Sequence, residues 1–184
     1  MKILFLNPPD INKISENTVD EKSQEYIESD DFGAFPPLGI LYVMAYLEKN
    51  ASHHKLYFKD CVAERYGHHK LVDYVTGIKP DFVAMTSFTI SMIDVVLAAQ
   101  NIRKIVPEAH LCLGGHHPIA FPFEAASLPE FDSIVVGEGE NAFTELVKAI
   151  EDKKPFTNIM GVYTNDSIQK YRNTTLKDRR FLNK

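Results

Sequence analysis

Pro80-Asp81-Phe82-Val83-Ala84-Met85-Thr86-Ser87-Phe88-Thr89 decides the fold. Lys79-Pro80 stops a helical pattern, since proline cannot continue a helix. Phe82 to Met85 is continuously apolar, as in a strand buried on both faces. Thr86 to Thr89 is small and polar, apart from Phe88. Ser91-Met92-Ile93-Asp94 then has the spacing of a capping box, and the helix it opens runs to Val106 and stops at Pro107. A doubly buried strand between two helices is the repeating unit of a parallel sheet.

Working outward, the unit recurs. Downstream, His110 to Leu113 predicts a fourth strand, ending in Gly114-Gly115-His116-His117-Pro118, with a short helix near Phe123 to Ser127. Ser133 to Val136 predicts a fifth, ending in Gly137-Glu138-Gly139-Glu140. Phe143, Leu146, Val147 and Ile150 then fall at helical spacing. Upstream, His69 to Ile78 is a weaker helix and Lys55 to Asp60 a second strand. Pro36-Pro37-Leu38-Gly39 opens a helix to about Lys49, with proline tolerated in its first turn. Ile3 to Leu6, ended by Asn7-Pro8-Pro9, is the first strand. Asp10 to Asp31 is a long polar loop with a helical turn near Gln24 to Ile27. Ile159 to Tyr163 and Ile168 to Tyr171 flank Asn165-Asp166, which predicts a β-hairpin beside the sheet.

The expected architecture is α/β: a flavodoxin-like, doubly wound, parallel five-stranded sheet with a C-terminal hairpin. One domain covers residues 1–172, and residues 173–184 are a linker or exit segment. A length of 184 residues suits a single core. The net charge of −5 gives no basic stripe for nucleic acid. No apolar run is long enough to span a bilayer. Cys61 and Cys112 sit in apolar strand-like runs and read as buried thiols of a cytoplasmic protein, not as a disulfide or zinc site. No CxxxCxxC occurs, so the chain cannot itself supply three thiolates to an iron–sulfur cluster.

In open α/β sheets ligands lie beyond the carboxyl ends of the strands. Asn7, Pro8 and Pro9 follow the first strand. Pro37, Leu38 and Gly39 lie across the long loop; the prolines either stiffen turns or frame a ligand. Asp60 and Val62 follow the second strand, with Asp60 either capping the turn or touching a ligand. Thr86, Ser87, Phe88 and Thr89 follow the third, offering hydroxyls to a ligand or to the next helix. Gly114 and Gly115 leave room for another molecule or make a tight turn, and His116 and His117 come next. Gly137, Glu138, Gly139 and Glu140 follow the fifth strand, without the spacing of a dinucleotide fingerprint. His53-His54 and His68-His69 lie near helix ends and read as solvated.

These pieces, in this order, resemble the N-terminal cobalamin-binding domain of the cobalamin-dependent radical SAM family. The resemblance rests on Lys2 to Pro9, Pro36-Pro37-Leu38-Gly39, Pro80-Asp81 with Thr86-Ser87, Gly114 to Pro118, and Phe131-Asp132 leading to Gly137 to Glu140. It implies a corrinoid held between this domain and a radical SAM domain absent from the chain, in cis or in trans. The iron–sulfur cluster and S-adenosylmethionine would belong to that domain. The DxHxxG motif that gives cobalt a histidine in the broader fold is missing, which implies a base-off corrinoid without a protein histidine from the first loop. No residue is assigned to the cobalt. The resemblance further implies methyl transfer or radical chemistry that this chain would not complete alone. The alternative is a stand-alone nucleotide, flavin or protein-binding domain of the same fold. A phosphorylation receiver fits less well, since Thr86-Ser87 stands where its acceptor aspartate belongs.

Overall fold

The computed structural model describes residues 1–12 and 36–172. The expected turn at Gln24 to Ile27 and the segment 173–184 lie outside the described residues. The sheet has six strands in the order β2-β1-β3-β4-β5-β6. They are β1 (Lys2–Asn7), β2 (Lys55–Asp60), β3 (Phe82–Ser87), β4 (His110–Gly115), β5 (Ser133–Val135) and β6 (Val162–Tyr163). The first five are parallel, and β6 runs antiparallel to β5. This is the flavodoxin-like doubly wound order, reversing between β1 and β3.

The helices are α1 (Leu38–Asn50), α2 (His68–Ile78), α3 (Met92–Ile105), α4 (His116–Ala120), α5 (Pro122–Ser127), α6 (Gly139–Glu151) and α7 (Asn165–Arg172). Alternate strand residues point to opposite layers. Ile3, Phe5, Phe82, Ala84 and Cys112 pack against α1 and α6 through Leu47, Phe143 and Leu146. Leu4, Leu6, Val83, Met85, Leu111 and Leu113 pack against α2, α3 and α5 through Leu71, Val95, Ile102 and Ala125. Both cysteines are buried and free, and burial pushes each thiol up to about 12.

Two local expectations are overturned. The hairpin forms only its first arm: Val135 pairs with Val162, but Asn165-Asp166 begins α7 instead of turning the chain. The reason is a cap. The Ser167 amide donates to Thr164 Oγ1 at 3.2 Å and the Thr164 amide to Ser167 Oγ at 2.8 Å, a reciprocal pair that starts a helix. Ile168 then buries completely in the core. The expected box at Ser91–Asp94 is not formed either. Ser91 bonds back to Phe88 across the short 3₁₀ turn Thr89–Ser91, and Asp94 is fully buried with other partners.

Among the described residues, no helix is long and apolar enough to cross a membrane.

Candidate functional site

The carboxyl ends of β1, β3 and β4 are held side by side by the strand register. Thr86 sits opposite Gly114, and Ser87 opposite Gly115. Ser87 is buried and its hydroxyl donates to the Gly114 carbonyl at 2.9 Å. Gly115 has φ +96°, and a Cβ there would come within 2.6 Å of the Ser87 amide nitrogen and carbonyl oxygen. Its missing side chain is therefore taken up by β3 itself. Gly39 meets nothing within 4 Å and so leaves open space, while a Cβ at Gly114 would make an ordinary contact with the Met85 carbonyl oxygen at 3.9 Å. Gly137, at φ +93°, is also open, while Gly139 lies where a Cβ would be 3.0 Å from Val43 and so seats α6 against α1.

The other predicted positions divide in the same way. Asn7 Nδ2 donates to Asp60 Oδ1 at 2.9 Å, and the amides of Val62 and Ala63 donate to that same oxygen. Asp60 thus caps its own turn and ties the ends of β1 and β2 together. Pro8 and Pro9 are buried; Pro37 is half-buried and its carbonyl accepts the Leu41 amide. Thr86 is half-buried beside Gly115. Glu138 is exposed at the start of α6, with Glu140 in its first turn.

The two histidines after β4 differ. His116 is exposed and stacks on Phe88, with ring centroids 4.6 Å apart and planes 13° apart. His117 is buried, with Nδ1 3.2 Å from Thr89 Oγ1 and Nε2 enclosed without a partner. Burial lowers its pKa, against the opposing pull of Glu124, which favours a neutral ring at pH 7.

Sequence reading missed two features of this rim. The first is the apolar character of the rim: the candidates Leu38, 60% exposed, Phe88, 50% exposed, and Val62 are joined by Ile90 at 67% and by Ile11, Ile119 and Phe121. Met160, 87% exposed, precedes Gly161, whose carbonyl accepts the Val136 amide beyond β5. In the sequence they are visible only as loop composition; the fold gathers them. The second is the knot around Asp94. Its carboxylate accepts the amides of Ile11 and Asn12 at 2.7 and 2.6 Å, Asn12 Nδ2 at 2.8 Å, and His68 Nε2 at 2.7 Å. Burial opposes ionisation, yet these donors hold the carboxyl below its usual range. His68 is accordingly not a free surface residue, and His54 is buried. Both depart from the solvated reading.

A parallel sheet with a glycine-punctuated, apolar mouth at the carboxyl ends of its strands defines a flavodoxin-like cofactor-binding module. Residues 32–147 match the family described as the B12 binding domain. The chain belongs to that family, and its cofactor is a corrinoid. It is 33% identical over 120 residues to an anaerobic magnesium-protoporphyrin IX monomethyl ester cyclase of Cereibacter sphaeroides, covering 65% of this chain and 19% of that one. It is 28% identical over 128 residues to an uncharacterized methyltransferase of Pyrococcus horikoshii, covering 69% and 27%. The chain therefore spans less than a third of these curated relatives. Its fold matches the radical S-adenosylmethionine methyltransferase TsrM of Kitasatospora setae, solved with cobalamin and a 4Fe-4S cluster, with a TM-score of 0.69, 18% identity, and coverage of 89% and 27%. It also matches the cobalamin-dependent S-adenosylmethionine radical enzyme OxsB with aqua-cobalamin, with a TM-score of 0.62, 13% identity, and coverage of 89% and 20%.

Proposed function

We propose that this chain holds its corrinoid over the carboxyl rim, base-off, for a radical SAM domain that acts in cis or in trans. The observation that carries the reading is the rim itself: large apolar side chains stand exposed beside glycines that leave open space. Exposed apolar area costs roughly 25 cal/mol per Å², so a surface of this kind marks a binding face. Leu38, Phe88, Ile90 and Val62 would meet the apolar parts of the macrocycle. Gly39 and Gly137, whose surroundings are open, would let it approach the backbone, and Gly114 would offer it a bare strand end. Thr89, His116 and Glu138 would meet its amide periphery, with the enclosed His117 ring holding Thr89 Oγ1 from behind at 3.2 Å. Ser87 and Gly115 shape the pocket rather than touch the cofactor. The corrinoid supplies methyl-transfer or radical chemistry at cobalt; the protein binds, orients and shields it. The two deeply buried thiols fit a reducing cytoplasm. Residues 1–172 would form the module, and 173–184 a linker or exit segment.

The test is direct. Protein mixed with hydroxocobalamin and desalted should retain about one equivalent of corrin absorbance. Its electron paramagnetic resonance spectrum in the Co(II) state should lack splitting from an axial nitrogen. No retention in any cobalt oxidation state would overturn the binding reading, and axial nitrogen splitting would overturn the reading of a base-off corrinoid without a protein histidine.

A further inference from the structure

The opposite rim, at the amino ends of the strands, gathers three side chains of types that can ligate a metal. His53 and His54 lie in the turn between α1 and β2, and Glu151 is the last residue of α6. His53 Nε2 is 2.9 Å from Glu151 Oε2 and 3.1 Å from Oε1. His54 Nδ1 is 3.7 Å from Glu151 Oε1, and the two imidazoles pack with centroids 4.0 Å apart. One ligand atom from each residue lies within 4.8 Å of the others. Strands of six residues at ~3.3 Å each put this cluster roughly 20 Å from the cofactor rim.

We propose that His53, His54 and Glu151 form a site for a divalent transition metal of the zinc type, separate from the corrinoid, which pins the α1–β2 turn to the end of α6. Two imidazole nitrogens and a carboxylate oxygen are a donor set that zinc, nickel and copper accept and that magnesium and calcium do not favour. Ligands 2.0–2.2 Å from a tetrahedral ion lie about 3.4 Å apart, and the present separations of 2.9 and 3.7 Å straddle that value. An ion pair accounts for His53 and Glu151 alone. His54 Nδ1 meets the Met1 nitrogen at 3.3 Å and faces the carboxylate at 3.7 Å, a distance too long for a hydrogen bond. A shared ion gives all three a common partner. The site is also half-built: the His54 side chain is 0% exposed and fixed, whereas His53 at 61% and Glu151 at 32% are free to close on an ion. The Met1 nitrogen, 3.3 Å from His54 Nδ1, is the group an ion would displace. A fourth position would stay open to water.

Untagged, chelator-treated protein titrated with zinc chloride in a calorimeter should bind one equivalent, and the thermal midpoint should rise with zinc. His53→Ala and Glu151→Gln, folded by circular dichroism, should each weaken zinc binding by at least about tenfold and abolish the thermal shift. His69→Ala, exposed and outside the cluster, should bind as the parent does. X-ray absorption at the zinc edge should show imidazole scattering. No saturable equivalent, or one that survives both substitutions, overturns the site. Corrin retention should be unchanged in both variants, so the outcome is independent of the cobalamin reading.

Discussion

The two rims of one sheet are built on opposite terms. At the amino rim, polar groups are spent on the fold. Asp81 Oδ2 accepts the Lys2 amide at 2.7 Å, and Asp132 Oδ2 accepts the Leu111 amide at 2.8 Å. Each aspartate thereby laces the start of its strand to the neighbouring one. Arg103 adds bonds to the carbonyls of Pro107, Ala109 and Glu130 and to Asp132. At the carboxyl rim, Asp60 and Asp94 also tie chain segments together, but open glycines and exposed apolar side chains remain beside them. Motifs shared with a family therefore need not share a purpose: Asp81 and Asp132 are joinery, while Gly39 and Gly137 leave open space.

The sharpest way to break this division is Gly115→Ala. The residue lies on the carboxyl rim yet its space belongs to β3. Its positive φ and the 2.6 Å overlap predict a loss of about 3–5 kcal/mol in urea unfolding. A variant of normal stability that only loses corrin would move Gly115 to the ligand side.

The next effect is one of pH. His110, at the start of β4, is held down to about 4, chiefly by burial, with Asp132 opposing and Arg103 adding to it. The unfolded chain protonates it near 6.5, so its contribution is fully present above that pH and is lost as pH falls from about 6.5 to 4. The upper bound is about 3 kcal/mol. His54 and His117 are lowered too and act in the same direction, whereas the depressed carboxyl of Asp94 matters only below its ordinary value of 3.8. Denaturant midpoints at pH 7, 5.5 and 4.5 should fall in that order, and His110→Gln should flatten the trend. A flat parent profile would show that the amino rim is less enclosed than its geometry indicates.

The smallest effect on folding, and the clearest on binding, is expected at Ile90. Ile90→Ser should leave the unfolding midpoint within about 0.5 kcal/mol while weakening corrin retention about tenfold. Equal retention by parent and variant would remove Ile90 from the binding face.

Much of this is legible in the sequence. Doubly buried strands announce themselves as apolar runs, and glycine or proline marks their ends, so the five parallel strands and the loops after them can be read off. What cannot be read there is the second partner of each polar group. Asp94 has the spacing of a cap, but its carboxylate serves chain segments more than eighty residues upstream. Asn165-Asp166 has the composition of a turn, while Thr164 and Ser167, the capping pair that wins, differ from the usual Glu-containing box. Asp60 reads as either a cap or a ligand contact, and its carboxylate caps its own turn. The apolar character of the rim emerges only when Leu38, Phe88, Ile90 and Met160, distant in sequence, arrive at one end of the sheet.

The two lateral edges of the sheet also have a consequence. β6 is only two residues long. At the far edge β2 begins on Lys55 and carries Lys59, whose ammonium lies over the rings of Tyr66 and Tyr74. Short edges and lysines discourage strand-to-strand joining with a second molecule. A protein with an apolar mouth exposed at one end of its sheet has guarded the other route by which such chains clump together.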